Sequence, residues 1–255
     1  MRLQGRMAVV TGAGSGLGLD TCRALAAAGA RVAALDRDIA ALDAVRTELG
    51  CFAHIVDVAD AASVSAALDA AVAALGRPYL AVNCAGVADA AKTVSKGAPF
   101  PLPTWDKVIA INLTGSFNLI RLAAAQMVEN APDPDSGERG VIVNTASGAA
   151  TQGQVGQAAY SASKAGVIGL TLPVARDLAP HGIRVVTISP GVFETAMIAG
   201  LPPQVAQSLI DKTILFPNRM GRPTEFGALV RHIAENAYLN ATVIDLDGGA
   251  RMTAR

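Results

Sequence analysis

The chain has 255 residues, 51% hydrophobic and 16% charged, a composition that excludes a disordered segment and suits a domain with a large core. Lysine plus arginine and aspartate plus glutamate both number 21, so no charge excess favours a nucleic acid or an anionic membrane as the main partner. Three scattered cysteines (Cys22, Cys51, Cys84) and three scattered histidines (His54, His181, His232) form no disulfide framework and no metal-ligand spacing, so no metal is expected and a reducing, cytoplasmic setting is.

Met1 to Arg6 leads straight into the apolar run Met7 to Val10, which leaves no room for a signal peptide, and no stretch reads as the roughly 18 apolar residues of a membrane span. From there short β-branched runs alternate with helical patterns. They predict strands at 7–11, 31–36, 52–56, 79–82, 140–146, 183–189 and 242–246. This alternation is the mark of βαβ units on a parallel sheet with both faces covered, and it predicts one α/β domain over 1–255. A cofactor half would run to about residue 130 and a catalytic, substrate-binding half would fill 131–255.

The first strand runs into Thr11-Gly12-Ala13-Gly14-Ser15-Gly16-Leu17-Gly18, which opens a helix carrying Cys22, Leu25 and Ala26 on one face and stopping at Gly29. The pattern is TGxxxGxG, with Leu19 where GxGxxG would place its third glycine. A pyrophosphate needs close backbone approach to a helix N-terminus, and glycine removes the Cβ atoms that would obstruct it. Asp36 ends the second strand, where a carboxylate accepts from an adenosine ribose and repels a 2′-phosphate, so NAD is expected as the cofactor. Two other readings stay open there: Arg37 could pair with that phosphate, and Asp36 could simply cap the next helix.

Val64, Ala67, Leu68, Ala71, Val72 and Leu75 repeat at helical spacing, with Asp60 as N-cap and Gly76 as stop. Polar loops are expected around 88–103 and 132–139. Between them the stripe Trp105, Val108, Ile109, Asn112, Leu113, Ser116, Phe117, Ile120 puts the amide of Asn112 on a buried helix face. Such an amide needs partners, either a backbone segment or a water-holding, proton-relay arrangement.

Ser147 falls just past the carboxyl end of the strand Val141-Ile142-Val143, the edge where open parallel sheets bind ligands. Tyr160 and Lys164 follow one turn apart in the helical pattern Tyr160, Ser163, Lys164, Val167, Thr171, Val174, Leu178. Alcohol oxidation requires a base, and a phenol with its usual pKa of about 10 must be made more acidic to serve. A lysine ammonium one turn away is expected to do that, with Ser147 hydrogen-bonding the substrate oxygen. Ala158, Ala162, Gly166 and Gly169 give this helix a small-residue face suited to close packing against a second copy, and Pro173 is expected to bend it.

Taken together, TGAGSGLG at Thr11 to Gly18, Asp57-Val58, NCAG at Asn83 to Gly86, Asn112, Ser147, YSASK at Tyr160 to Lys164 and PG at Pro190-Gly191 with Thr195 resemble the short-chain dehydrogenase/reductase family over essentially the whole chain. That resemblance implies a doubly wound Rossmann-like sheet of seven parallel strands and hydride transfer between a nicotinamide dinucleotide and a secondary alcohol or ketone. It assigns Asn112, Ser147, Tyr160 and Lys164 to catalysis. Gly12, Ser15, Gly16, Leu17, Gly18 and Asp36 would bind the cofactor, with Asp57 and Val58 near adenine. Asn83, Ala85 and Gly86 would support the central strand and the cofactor; Pro190, Gly191, Val192 and Thr195 would lie at the nicotinamide end, and Lys164 and Tyr160 at its ribose. Within the family, VNCAGVADAAKT, GQVGQAAYSASKAGVIGLTLPVARDLAPHGIRV and FPNRMG are similar to type II 3-hydroxyacyl-CoA dehydrogenases, also described as type 10 17β-hydroxysteroid dehydrogenases. This narrower likeness implies oxidation of a 3-hydroxyacyl-CoA in fatty acid metabolism, with Ser147, Gln154 and Tyr160 at the substrate and a homotetramer of D2 symmetry. Gly148, where a bulkier residue is common in that group, and Glu194 depart from it. Lys92 and Lys96 are expected either to meet CoA phosphates or to be solvated loop charges. Reduction of an acyl-carrier-protein thioester, a steroid substrate, or a catalytically silent dinucleotide scaffold are the alternatives.

Overall fold

In a computed structural model, residues 2–195 and 203–252 are described. Seven parallel strands form one sheet in the order β3-β2-β1-β4-β7-β8-β9. They are β1 (Met7–Thr11), β2 (Arg31–Asp36), β3 (Phe52–Ile55), β4 (Pro78–Asn83), β7 (Gly140–Thr145), β8 (Ile183–Pro190) and β9 (Thr242–Leu246). Their bounds match the β-branched runs within one or two residues. The helices are α1 (Gly16–Ala27), α2 (Ile39–Leu49), α3 (Ala61–Leu75), α4 (Leu102–Ile109), α5 (Gly115–Met127), α6 (Ala149–Gln152), α7 (Ala158–Leu178), α8 (Pro203–Thr213) and α9 (Pro223–Glu235).

Alternation along the strands fills two cores. On β1, Ala8 and Val10 pack with Cys22 and Leu25 of α1 and Phe226 and Val230 of α9. Met7 and Val9 face the other way, with Leu68 of α3 and Leu119 and Met127 of α5. Every residue of β1, β7 and β8 is buried, as expected for central strands covered on both faces. Asp60 caps α3 by accepting from Ala62 N at 2.9 Å, and Gly76, with φ +82°, ends it. The strand order reverses between β1 and β4, and the register aligns Thr11, Asn83 and Asn144 at the carboxyl ends of β1, β4 and β7. A cleft therefore opens at the switch point of the sheet.

Two expectations change and one gains detail. The run 88–103 contains a two-stranded hairpin, β5 (Val94–Ser95) with β6 (Ala98–Pro99), turned by Lys96 and Gly97 at positive φ. The run 132–139 is a folded turn: Asp133 Oδ1 accepts from the backbone N–H of Asp135 and Ser136, each at 3.1 Å, and Asp133 pairs with Arg6 at 2.7 Å. Finally, Leu102–Met127 is one 26-residue helical run with an 18-residue window whose mean hydropathy of 1.4 does meet that of a membrane span. Half of that window is buried inside the domain, with Asn112, Ser116 and Asn118 among the buried groups, so its hydropathy is that of a core helix.

Candidate active site

A cavity of about 710 Å³ lies over the carboxyl ends of β1, β4, β7 and β8. At one end is the N-terminus of α1. Its N-cap, Ser15, makes no side-chain cap bond and no acidic residue occupies the first turn, so backbone N–H groups are left to meet a ligand. The glycines around it serve two purposes. A Cβ on Gly18 would come within 2.0 Å of the Gly12 carbonyl oxygen, so Gly18 lets the turn close on itself. Gly16, at φ +50°, adopts a backbone few other residues accept and faces Thr195 across the cleft. Close protein packing is the larger constraint at Gly18.

Asp36 lines the cavity at the end of β2, next to Arg37. Its carboxylate accepts from Gly14 N at 2.8 Å and Asp38 N at 3.1 Å, which fixes it at the edge of the glycine turn. The cap of α2 is Asp38, which accepts from Ala41 N at 3.1 Å, so the simple capping role considered for Asp36 belongs to its neighbour. Gly12, Ser15, Leu17, Asp57, Val58, Ala85, Gly86, Pro190, Gly191 and Val192 also line the cavity. Asn83 does not. Its amide donates to Asn144 Oδ1 at 2.9 Å and Ser116 O at 3.3 Å, tying β4 to β7 and α5 beneath the floor.

At the other end Ser147, Gln154, Tyr160 and Lys164 share the cavity. Ser147 Oγ accepts from Ala149 N at 3.2 Å and sits beside the Tyr160 phenol, whose ionised form it favours. Lys164 Nζ donates to the Thr145 carbonyl at 2.7 Å and lies 5.9 Å from the Tyr160 ring centre. Asn112 sits in a π turn (Ala110–Thr114) between α4 and α5, fully buried. Its Oδ1 accepts from Val87 N at 2.9 Å, and its Nδ2 donates to Val87 O at 2.9 Å and Ser163 Oγ at 3.1 Å. Both amide hydrogens are thereby spent on protein, and the side chain clamps the Val87 backbone to Ser163.

Burial governs the charge balance of the pair. Burial pushes the half-buried Tyr160 phenol above its usual value, and Ser147 opposes that only in part. Lys164 Nζ, 5.9 Å from the Tyr160 ring centre, is directed at the Thr145 carbonyl. Burial brings Lys164 down to about 8, with Cys84 opposing. Cys84 borders the same cavity, and burial raises its thiol to about 11, leaving it protonated and unreactive at neutral pH.

A family model described as short chain dehydrogenase matches residues 6–206. The chain belongs to the short-chain dehydrogenases. It is 48% identical to human 3-hydroxyacyl-CoA dehydrogenase type-2 over 98% of this chain and 97% of that one. It is 49% identical to the Drosophila melanogaster protein of the same name, over 98% and 99%. A crystal structure of 3-hydroxyacyl-CoA dehydrogenase type-2 from Mycobacterium avium superposes with a TM-score of 0.93 at 39% identity, covering 98% of both chains. As a short-chain dehydrogenase the protein is an oxidoreductase that works with a nicotinamide dinucleotide.

Sequence reasoning missed several walls of this dehydrogenase's cavity. Leu209 and Thr213 of α8 and Ala250 and Met252 of the C-terminal segment close it on the substrate side. They are small or apolar residues without a motif, and only the fold brings them within reach of Ser147. The Thr145 carbonyl that receives Lys164 left no mark for the same reason: a main-chain oxygen has no side-chain signature. Lys92, just before the hairpin, and Lys96, at its turn, are exposed and line no part of the cavity.

Proposed function

We propose that this short-chain dehydrogenase is NAD-linked and oxidises a 3-hydroxyacyl-CoA to the 3-ketoacyl-CoA. The observation that carries the reading is the convergence of Ser147, Tyr160 and Lys164 on the cavity that also receives the uncapped start of α1. Gly12, Ser15, Gly16, Leu17 and Gly18 would hold the pyrophosphate, Asp36 a ribose diol, Asp57 and Val58 the adenine, and Val192 and Thr195 the nicotinamide. The residues present fit that group, since the open helix end and the carboxylate answer its negative and hydroxyl-bearing parts. When bound, the nicotinamide is the hydride acceptor. Ser147 would then hold the carbinol oxygen while the Tyr160 oxygen takes its proton, and Lys164, anchored on Thr145, would hold positive charge beside the phenolate. Lowering a phenol by about 3 units requires about 4 kcal/mol, to which the Lys164 ammonium and the oxidised cofactor's charge would both contribute.

Asp36 favours NAD because its carboxylate occupies the edge where a 2′-phosphate would sit. The acyl-CoA substrate rests on the names of the relatives and on a cavity mouth walled by apolar and small side chains, with Gln154 beside it. Fatty acid metabolism, a reducing cytoplasmic setting consistent with three free thiols, and a D2 homotetramer complete the reading. NADH formation against a panel of 3-hydroxyacyl-CoAs and hydroxysteroids tests it. Turnover of the acyl-CoAs with NAD is expected, and preference for NADP or for steroids overturns it. Tyr160→Phe should lose at least about a hundredfold in kcat while still binding NADH.

A further inference from the structure

The C-terminal segment is held against the serine loop by one side chain. Gln152 ends α6, the short turn whose first N–H holds Ser147 Oγ. Its Oε1 accepts from Met252 N at 2.6 Å, and its Nε2 donates to Ala250 O at 3.4 Å. Between those two residues Arg251 N donates to Thr213 O at 2.8 Å, at the end of α8. Residues 250–252 thus link the two sides of the cavity mouth, and Ala250, Met252 and Thr213 all line it. Gly148 completes the corner: a Cβ there would meet Gln152 Nε2 at 3.8 Å and Met252 Cε at 3.9 Å. A methyl would fit, whereas a larger side chain would compete with Met252 for the same space.

We propose that Gln152 is a positioning residue for the substrate: by pinning Ala250 and Met252 it sets an apolar wall against which the substituent on the carbinol carbon packs. The wall belongs to the substrate end, remote from Asp36 and the glycine turn, so its loss acts on KM. The identity of the substituent as an acyl chain rests on the function proposed above; the clamp itself does not.

Gln152→Leu keeps the size of the side chain and removes both hydrogen bonds, while Gln152→Glu keeps an acceptor for Met252 N and loses the weaker donation to Ala250. In Gln152→Leu the KM for a long-chain 3-hydroxyacyl-CoA should rise roughly tenfold, with short-chain KM, kcat and NADH affinity nearly unchanged. Backbone hydrogen exchange at Met252 should quicken to match, and Gln152→Glu should restore both readouts most of the way. Unchanged exchange at residues 250–252, a parallel loss of NADH affinity, or a Gln152→Glu variant as impaired as Gln152→Leu would overturn the clamp. If the native enzyme turns over no acyl-CoA at all, the acyl-CoA reading fails. The exchange measurement and the KM for whichever alcohol it oxidises then still decide the role of Gln152.

Discussion

Lys164 is only 5% exposed, and its ammonium donates to the Thr145 carbonyl at 2.7 Å. Burial disfavours the charged form, which lowers its pKa from the ordinary value of 10.5 to about 8. The unfolded chain then binds more protons than the fold between those two values, so stability rises with pH across that window. The penalty is fully present below pH 8 and is relieved as the ammonium deprotonates. Cys84 and Tyr160, both raised by burial, act in the opposite sense above pH 9. The contribution of Lys164 is therefore read as the native protein minus Lys164→Met, where the neighbours cancel. That difference in unfolding free energy, measured by urea titration without cofactor, should move in favour of the native protein by about 2 kcal/mol between pH 7 and 9.5. A flat difference would mean that the lysine is solvated. The strain has a use: a buried ammonium without a carboxylate partner in the described site is available to an anionic oxygen, which is what a phenolate at Tyr160 would be.

The helical run through α4, the π turn and α5 shows where periodicity is informative and where it stops. The repeat from Trp105 to Ile120 placed Asn112 on the buried face correctly, because a 3.6-residue period reports which side of a helix is apolar. It could not name the partners. Val87 lies 25 residues away and Ser163 lies 51 away, and both arrive through the fold. The π turn was equally invisible, since one extra residue per turn leaves no compositional mark. The glycine loop, Asp36 and the Tyr160-Lys164 pair were legible because their spacing is local to one loop, one strand end or one helical turn. The direction in which Lys164 donates was not. Asn112→Leu separates clamp from relay. Removing the amide strands both polar groups of Val87 and should destabilise the domain by about 2 to 4 kcal/mol in urea unfolding, with activity falling as a consequence. A variant with native stability and lost turnover would return Asn112 to the chemistry.

At the scale of the molecule, the sheet was legible because its strands are short β-branched runs buried on both faces, a pattern that leaves few alternatives once helices alternate with them. The outer surface was less so. Of the small residues on α7, Gly166 turns inward: a Cβ there would come within 2.8 Å of Leu113, so it serves packing inside the chain. Gly169 has no atom within 4 Å of that position, and beside it Leu172 is 43% exposed, while Phe117 on α5 is 47% exposed. The outward face thus keeps Gly169 of the small-residue stripe and adds Leu172, while Gly166 belongs to the interior. Apolar side chains this open on the two helices that flank the sheet are suited to a two-fold contact, in which each α5 and α7 meets its own copy. Gly169→Arg puts a long charged side chain at the closest approach and fills no space within the chain, so it should leave the fold intact and split the assembly. Light scattering at micromolar concentration should find a tetramer for the native protein and a smaller species for Gly169→Arg, with unchanged circular dichroism. A native monomer, or a Gly169→Arg protein of native mass, would place the contact elsewhere or remove it.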